Sequence, residues 1–115
     1  MSNAYLSNLR STIDYLQKKG KLLETDVEIN PELEMTGIQK LLDGGLPILF
    51  NKVKGYPNGR LFTNLFADGN LVADLFDAGN ERTFKLRILE AIRHPLPPKV
   101  VNEAPCQEVV IDKDI

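Results

Sequence analysis

The apolar positions along this chain change period several times, and each change marks an element. Over residues 8–19, Leu9, Ile13 and Leu16 recur at spacings of four and three, one stripe of a helix. Asn8 is suited to cap its N-terminus, Lys18 and Lys19 to complement the negative end of its dipole, and Gly20 to close it in a left-handed conformation. Over residues 22–29 the period falls to two. Leu23, Thr25, Val27 and Ile29 alternate with Leu22, Glu24, Asp26 and Glu28, which predicts a half-exposed strand with its acids on one side. Asn30, Pro31 and Glu32 read as the start of a second helix, with Met35, Ile38, Leu41 and Leu42 as its buried stripe and Gly44-Gly45 as its end.

The centre of the chain is the stretch from Ile48 to Phe66. Its apolar residues fall on both faces of two strands, Ile48, Leu49, Phe50 and Val53 in the first and Leu61, Phe62, Leu65 and Phe66 in the second. Such strands are covered on both sides. Asn58-Gly59 between them is a strong hairpin signal, because both residue types tolerate positive φ. Gly59 and Gly20 are therefore expected at positive φ. Asn70 is expected to cap a short helix carrying Leu71, Val72, Leu75 and Phe76. Asn80 is expected to cap a longer one from Glu81 to Arg93, with Phe84, Ile88, Leu89 and Ile92 buried. Beyond His94, prolines at 95, 97, 98 and 105 predict an extended connector, followed by a last strand at Val109-Val110-Ile111. The fold expected is α+β: a small mixed sheet of three to four strands covered by about four helices, in the order α-β-α-β-β-α-α-β. The expected division is residues 1–94 as an α+β domain and 95–115 as a connector and strand. A strand signal so near the end of the sequence leads to the expectation that more chain follows.

Composition narrows the chemistry. With 115 residues, 43% hydrophobic and 26% charged, the chain is sized and composed for one domain with its own core. A formal net charge of −2, with both signs dispersed, leaves no footprint for nucleic acid or an anionic membrane. One cysteine, Cys106, and one histidine, His94, preclude an intrachain disulfide and a Cys/His metal cluster. No apolar run is long enough to span a membrane and no signal peptide is evident, which sets the expectation of a cytoplasmic, reducing context. Ser2-Asn3-Ala4 reads equally as a tag scar or as a native start after Met1, and is left out of the fold.

Candidate functional residues are few. Glu24, Asp26 and Glu28 could form an acid/base or metal-binding face, but no histidine or third ligand type stands near, and a solvated strand face accounts for them better. Gly44-Gly45 follows a helix, whereas a phosphate cradle needs a strand before its glycines and a helix after them. Tyr56 fits a packed aromatic with a wet hydroxyl better than a ligand contact. Asn64, between apolar neighbours, needs hydrogen-bond partners and reads as structural. Arg82, Lys85, Arg87 and Arg93 read as a solvated helix face, and His94 as a complement to the helix dipole.

Four segments, running almost end to end from Leu9 to Asp112, resemble the N-terminal domain of the UbiD family of decarboxylases. The most specific is Pro47-Ile48-Leu49-Phe50-Asn51-Lys52-Val53-Lys54-Gly55-Tyr56, very similar to that family's "P-A-L-L-F-E-N-V-K-G-Y", with Asn64-Leu65-Phe66 matching its "N-L-F-G". Leu9-Arg10-Ser11 with Gly20-Lys21-Leu22-Leu23, then 27–34 and 104–110, are similar to its opening helix, its "V-D-P-x-x-E-I" and its lead-in to the flavin domain. Asp68-Gly69-Asn70 departs from the family pattern, which has glycine followed by polar and basic residues at this place.

The resemblance implies reversible, non-oxidative decarboxylation of aromatic or α,β-unsaturated acids, using prenylated flavin mononucleotide, a divalent metal (manganese or magnesium) and potassium. It implies that the catalytic, flavin and metal residues lie in later domains, so no residue here is assigned to catalysis, cofactor or metal. The partners it implies are those domains, and a homodimer through the C-terminal strand is a further expectation. The acid itself stays open: hydroxybenzoates, phenyl phosphate and polyprenyl-hydroxybenzoate all suit the family. A free-standing interaction or oligomerisation module with the same fold is the alternative, and the length of the native reading frame separates the two.

Overall fold

A computed structural model describes residues 4–105 and 109. A short 3-10 turn, Ala4–Leu6, precedes α1, Leu9–Lys18. Then follow β1 (Leu23–Thr25), α2 (Glu34–Leu41), β2 (Ile48–Phe50), β3 (Leu61–Thr63), α3 (Gly69–Leu75) and α4 (Glu81–Arg93). The α+β class and the element order expected from the sequence are found as far as α4. The strand expected at Val109-Val110-Ile111 falls, apart from the exposed Val109, outside the described residues.

The sheet has three strands in the order β1-β2-β3. β1 pairs parallel with β2, Leu23 opposite Ile48, and β2 pairs antiparallel with β3, Leu49 opposite Phe62. β2 is buried throughout, as its two-faced apolar sequence demands. On one face Ile48 and Phe50 pack with Ile29 and Val53 under Met35, Ile38 and Leu42. On the other, Phe62 joins Leu16, Leu71 and Leu75 from α1 and α3. β2 is thus the wall between two apolar compartments.

The α1 caps follow the sequence. Asn8 Oδ1 accepts the Ser11 amide at 2.9 Å and Gly20 has φ +64°. Other boundaries move, each for a local reason. β1 stops at Thr25 because the Thr25 hydroxyl accepts the Val27 amide at 3.2 Å, a side-chain turn that competes with the ladder. Val27 is left exposed, and the chain rejoins the sheet only at Ile29, bridged to Val53. α2 begins at Glu34 rather than Pro31. Asn30 first makes a turn with Glu32, and its own amide is taken by the Glu34 carboxylate at 2.9 Å. Leu41, expected in the α2 stripe, is exposed. α3 is capped by Asp68, which accepts the Asn70 amide at 2.9 Å, rather than by Asn70.

The β2–β3 connection differs most. Instead of one tight turn at Asn58-Gly59, two turns follow each other. The Tyr56 amide bonds the Val53 carbonyl at 3.0 Å, and the Gly59 amide bonds the Tyr56 carbonyl at 2.8 Å. The residue with positive φ is Gly55, at +81°; Gly59 is not. Pro57 occupies the second position of the second turn and Gly59 the last, the places those residues favour in common turns. Gly59 is constrained by space instead, since a Cβ there would lie 2.8 Å from Tyr56 Cβ.

α4 is amphipathic, yet it buries no residue. Phe84 packs against Phe76 of the preceding turn, ring centroids 5.0 Å apart, and the Arg87 guanidinium donates to the Phe76 carbonyl at 2.9 Å. Ile88, Leu89 and Ile92, expected in the core, are exposed, as is Phe66 after β3. Periodicity locates an apolar stripe but does not say what covers it, and here no described element does. From Pro95 to Ala104 the chain forms neither helix nor strand.

Candidate functional site

Glu24 leaves β1 and Asp26 follows it in the turn set by Thr25, so both carboxylates approach the end of β2. There the Asn51 side-chain amide donates to Glu24 at 2.9 Å and to Asp26 at 3.0 Å. Gln17 of α1 donates to the other Glu24 oxygen at 2.9 Å. The backbone amide of Asn51 also bonds the Thr25 carbonyl, which fixes the residue over the β1–β2 pair. Glu28 does not share this network among the described residues. The two carboxylates are thus exposed anions held by uncharged amide donors, an arrangement that ties α1, β1 and β2 together. The alternation of acids was legible in the sequence; Asn51 as their common partner was not, because it lies 25 or more residues away.

A second feature is a cleft of about 290 Å³ between α1 and α3. Leu16 and Leu75 form its floor, and Lys19, Lys21 and Asp74 stand at its rim. Tyr15 lines it and stacks on Tyr5 at 4.0 Å, with the Lys19 ammonium 5.7 Å from the Tyr15 ring. The Tyr5 hydroxyl donates to the Leu75 carbonyl at 3.1 Å. Desolvation, then the nearby Asp77 charge and Tyr15, push the Tyr5 phenol above its ordinary value. These contacts fasten the N-terminal turn to α3.

The third is an apolar groove of about 270 Å³ between α4 and the start of α3. Phe66, Val72, Phe84 and Ile88 line it, with Glu81 and Lys85 forming an ion pair at its edge.

The remaining candidates are scattered. Tyr56 is exposed on the β2–β3 connection. Asn64 takes φ +64° and donates to the Gln39 carbonyl at 3.1 Å, the structural role expected of it. His94 caps α4 and its Nε2 donates to Glu90 at 3.0 Å. Among the described residues no three His, Cys, Asp or Glu side chains gather as a metal site. No described helix is long and apolar enough to cross a membrane.

A flavin phosphate does not fit the described residues. Gly44-Gly45 leads from α2 into β2, the reverse of a phosphate cradle. Gly69 does stand at a helix start after a strand, but a Cβ there would lie 2.7 Å from the Glu81 carboxyl carbon, and Asp68 already caps the helix. Two carboxylates therefore stand where an anion would have to bind.

This arrangement is that of a small α+β domain whose last described helix, α4, buries no residue. Residues 13–92 match the family model described as the 3-octaprenyl-4-hydroxybenzoate carboxy-lyase N-terminal domain, and the chain belongs to this UbiD N-terminal family. It is 31% identical to the gallate decarboxylase of Lactiplantibacillus plantarum, over 90% of this chain and 24% of that protein. It is likewise 31% identical to the phenolic acid decarboxylase of Sedimentibacter hydroxybenzoicus, over 100% of this chain and 26% of that one. The vanillic acid decarboxylase of the same organism, in its open form, superposes with a TM-score of 0.62 at 30% identity, covering 94% of this chain and 25% of that structure. The chain therefore spans about a quarter of the length of the relatives it matches.

Proposed function

We propose that this chain is the N-terminal, non-catalytic domain of a larger cytoplasmic UbiD-type decarboxylase that removes carboxylate from aromatic acids reversibly and without net oxidation. The observation that carries the reading is the family match over residues 13–92, in relatives about four times as long. Relatives named for gallate, phenolic acids and vanillic acid favour a phenol-bearing benzoic acid as the substrate class. Prenylated flavin, divalent metal and potassium are assigned to the parts of the enzyme beyond this chain, as the resemblance to the UbiD family implies. Residues 1–94 form the domain, and 95–115 lead from it into the flavin-binding part.

The test is to express the native reading frame that contains these residues beside the 115-residue chain. Both are loaded with prenylated flavin and manganese, and carbon dioxide release is followed from a panel of hydroxybenzoic acids. The longer protein is expected to turn over at least one acid, while the chain alone binds no flavin and releases none. A native frame that ends at Ile115 sinks this reading in favour of a free-standing interaction module, and saturable flavin binding by the chain alone sinks the non-catalytic assignment.

A further inference from the structure

We propose that the uncovered face of α4, with the groove beside it, is the surface on which the polypeptide following the proline connector docks. The inference rests on the reading of this chain as one domain of a longer decarboxylase, and it adds where the rest of that enzyme sits.

The face is apolar and unpartnered. Phe66 and Ile92 are 71% and 70% exposed, and Ile88 and Leu89 are 45% and 43% exposed. Phe84, Ile88 and Ile92 recur every four residues, so they line one side of the helix, continuous with the groove floored by Phe66 and Val72. A run of this kind, rimmed by charge, marks an interaction surface.

Three observations choose the occupant. About three quarters of each relative lies outside the part this chain matches, so material to cover the face exists. α4 is the last described helix before the connector, so the following segment is tethered at the end of the surface it would cover. Eleven connector residues, 95–105, reach roughly 34 Å in an extended proline-type conformation, against about 20 Å for the length of α4. A return path along the helix is therefore available, and tethering makes the contact intramolecular.

Charge argues against a second copy. α4 carries Arg82, Lys85, Arg87 and Arg93 against Glu81 and Glu90, four cations to two anions. Two copies meeting face to face across a twofold axis would bring these rims together, whereas an acid-bearing apolar surface would complement them.

The test uses thiol labelling. In a Cys106→Ser background, Ile88→Cys is placed in the 115-residue chain and in the full native protein, and maleimide labelling is timed in each. The thiol is expected to react readily in the short chain and at least about tenfold more slowly in the full protein, as burial behind a closed interface requires. Equal rates in both overturn the proposal. Protection that appears in the short chain and grows with its concentration assigns the face to a second copy and overturns it too. As a second readout, Ile92→Glu should lower the melting temperature of the full protein and leave that of the short chain unchanged; no effect on either counts against docking. Labelling does not depend on turnover, so the two readings fail separately. A protected thiol in an inactive full protein overturns only the decarboxylase reading, and a reactive thiol in an active one overturns only the docking.

Discussion

The side-chain amide of Asn51, at the end of β2, donates to the Glu24 carboxylate of β1 at 2.9 Å and, with the same nitrogen, to Asp26 at 3.0 Å. One neutral group thus holds two anions near each other on an exposed edge. Asn51→Ala should cost about 1 kcal/mol, the usual net value of such bonds. Asn51→Asp should cost more at neutral pH, because a third carboxylate replaces the donor. Like charge raises carboxylate pKa values in the folded state, so the deficit of this variant should be largest above the carboxylate range and shrink as the pH falls through it. Chemical denaturation at pH 7 and pH 4 measures both; a deficit that grows in acid contradicts the account.

Gly55 and Gly59 are both needed, for different reasons. Gly55→Ala meets open space but must hold φ +81°, a strain of about 1–2 kcal/mol for a residue with a Cβ. Gly59→Ala has no such φ, and its Cβ would instead press on Tyr56 Cβ at 2.8 Å, for about 1–3 kcal/mol. A double-mutant cycle with Tyr56→Gly should show coupling for Gly59→Ala and little for Gly55→Ala. The reverse pattern would mean that the turn is built differently.

The β2–β3 connection also shows where the sequence stopped being legible. Asn58-Gly59 satisfies a hairpin rule locally, but Gly55 satisfies another, and only the register of Leu49 with Phe62 decides between them. The two-faced burial of β2 could be read directly, because nothing but a central strand suits Ile48-Leu49-Phe50. The stripe of α4 was legible as a period, but a period does not say whether any element covers it, and α4 buries no residue. The acids Glu24 and Asp26 stood out in the sequence, but Asn51 as their partner did not, because only the parallel pairing of β1 and β2 brings the three together.

Leu75 is buried between α1 and α3, whereas Leu41 is 86% exposed although it occupies an apolar position of α2. Leu75→Ala should cost about 2–5 kcal/mol through lost burial and the cavity left behind. Leu41→Ala should stay within about 0.5 kcal/mol of the parent, as surface changes do. Thermal or urea unfolding of the 115-residue chain reads both, and similar costs would show that α2 is packed otherwise.

The Tyr5 phenol is raised above its ordinary value, chiefly by desolvation, and donates to the Leu75 carbonyl. A raised folded-state value means that the unfolded chain loses this proton first. Its contribution to stability is therefore complete below the ordinary phenol value of about 10 and is lost as the pH climbs through the folded-state value. Tyr5→Phe should cost about 1 kcal/mol at pH 7, and its gap from the parent should narrow in alkali. A gap that is constant from pH 7 to pH 11 would remove Tyr5 from the account of alkaline stability.

The position of β2 between a parallel and an antiparallel neighbour has a consequence for how the molecule is assembled in time. β3 reaches β2 across residues 51–60, a short closure, while β1 must wait for residues 26–47, including all of α2, to be threaded across the sheet. Loop closure over the longer span is entropically costlier, and non-local pairing of this kind is slow. The hairpin is therefore expected to form early and β1 to join last. Pulse-labelled hydrogen exchange during refolding should protect the Phe50 and Leu61 amides, paired across the hairpin, before that of Leu23, which bonds the Pro47 carbonyl of the β1–β2 pair. The strand that carries Glu24 is, in kinetic terms, the latch of the domain.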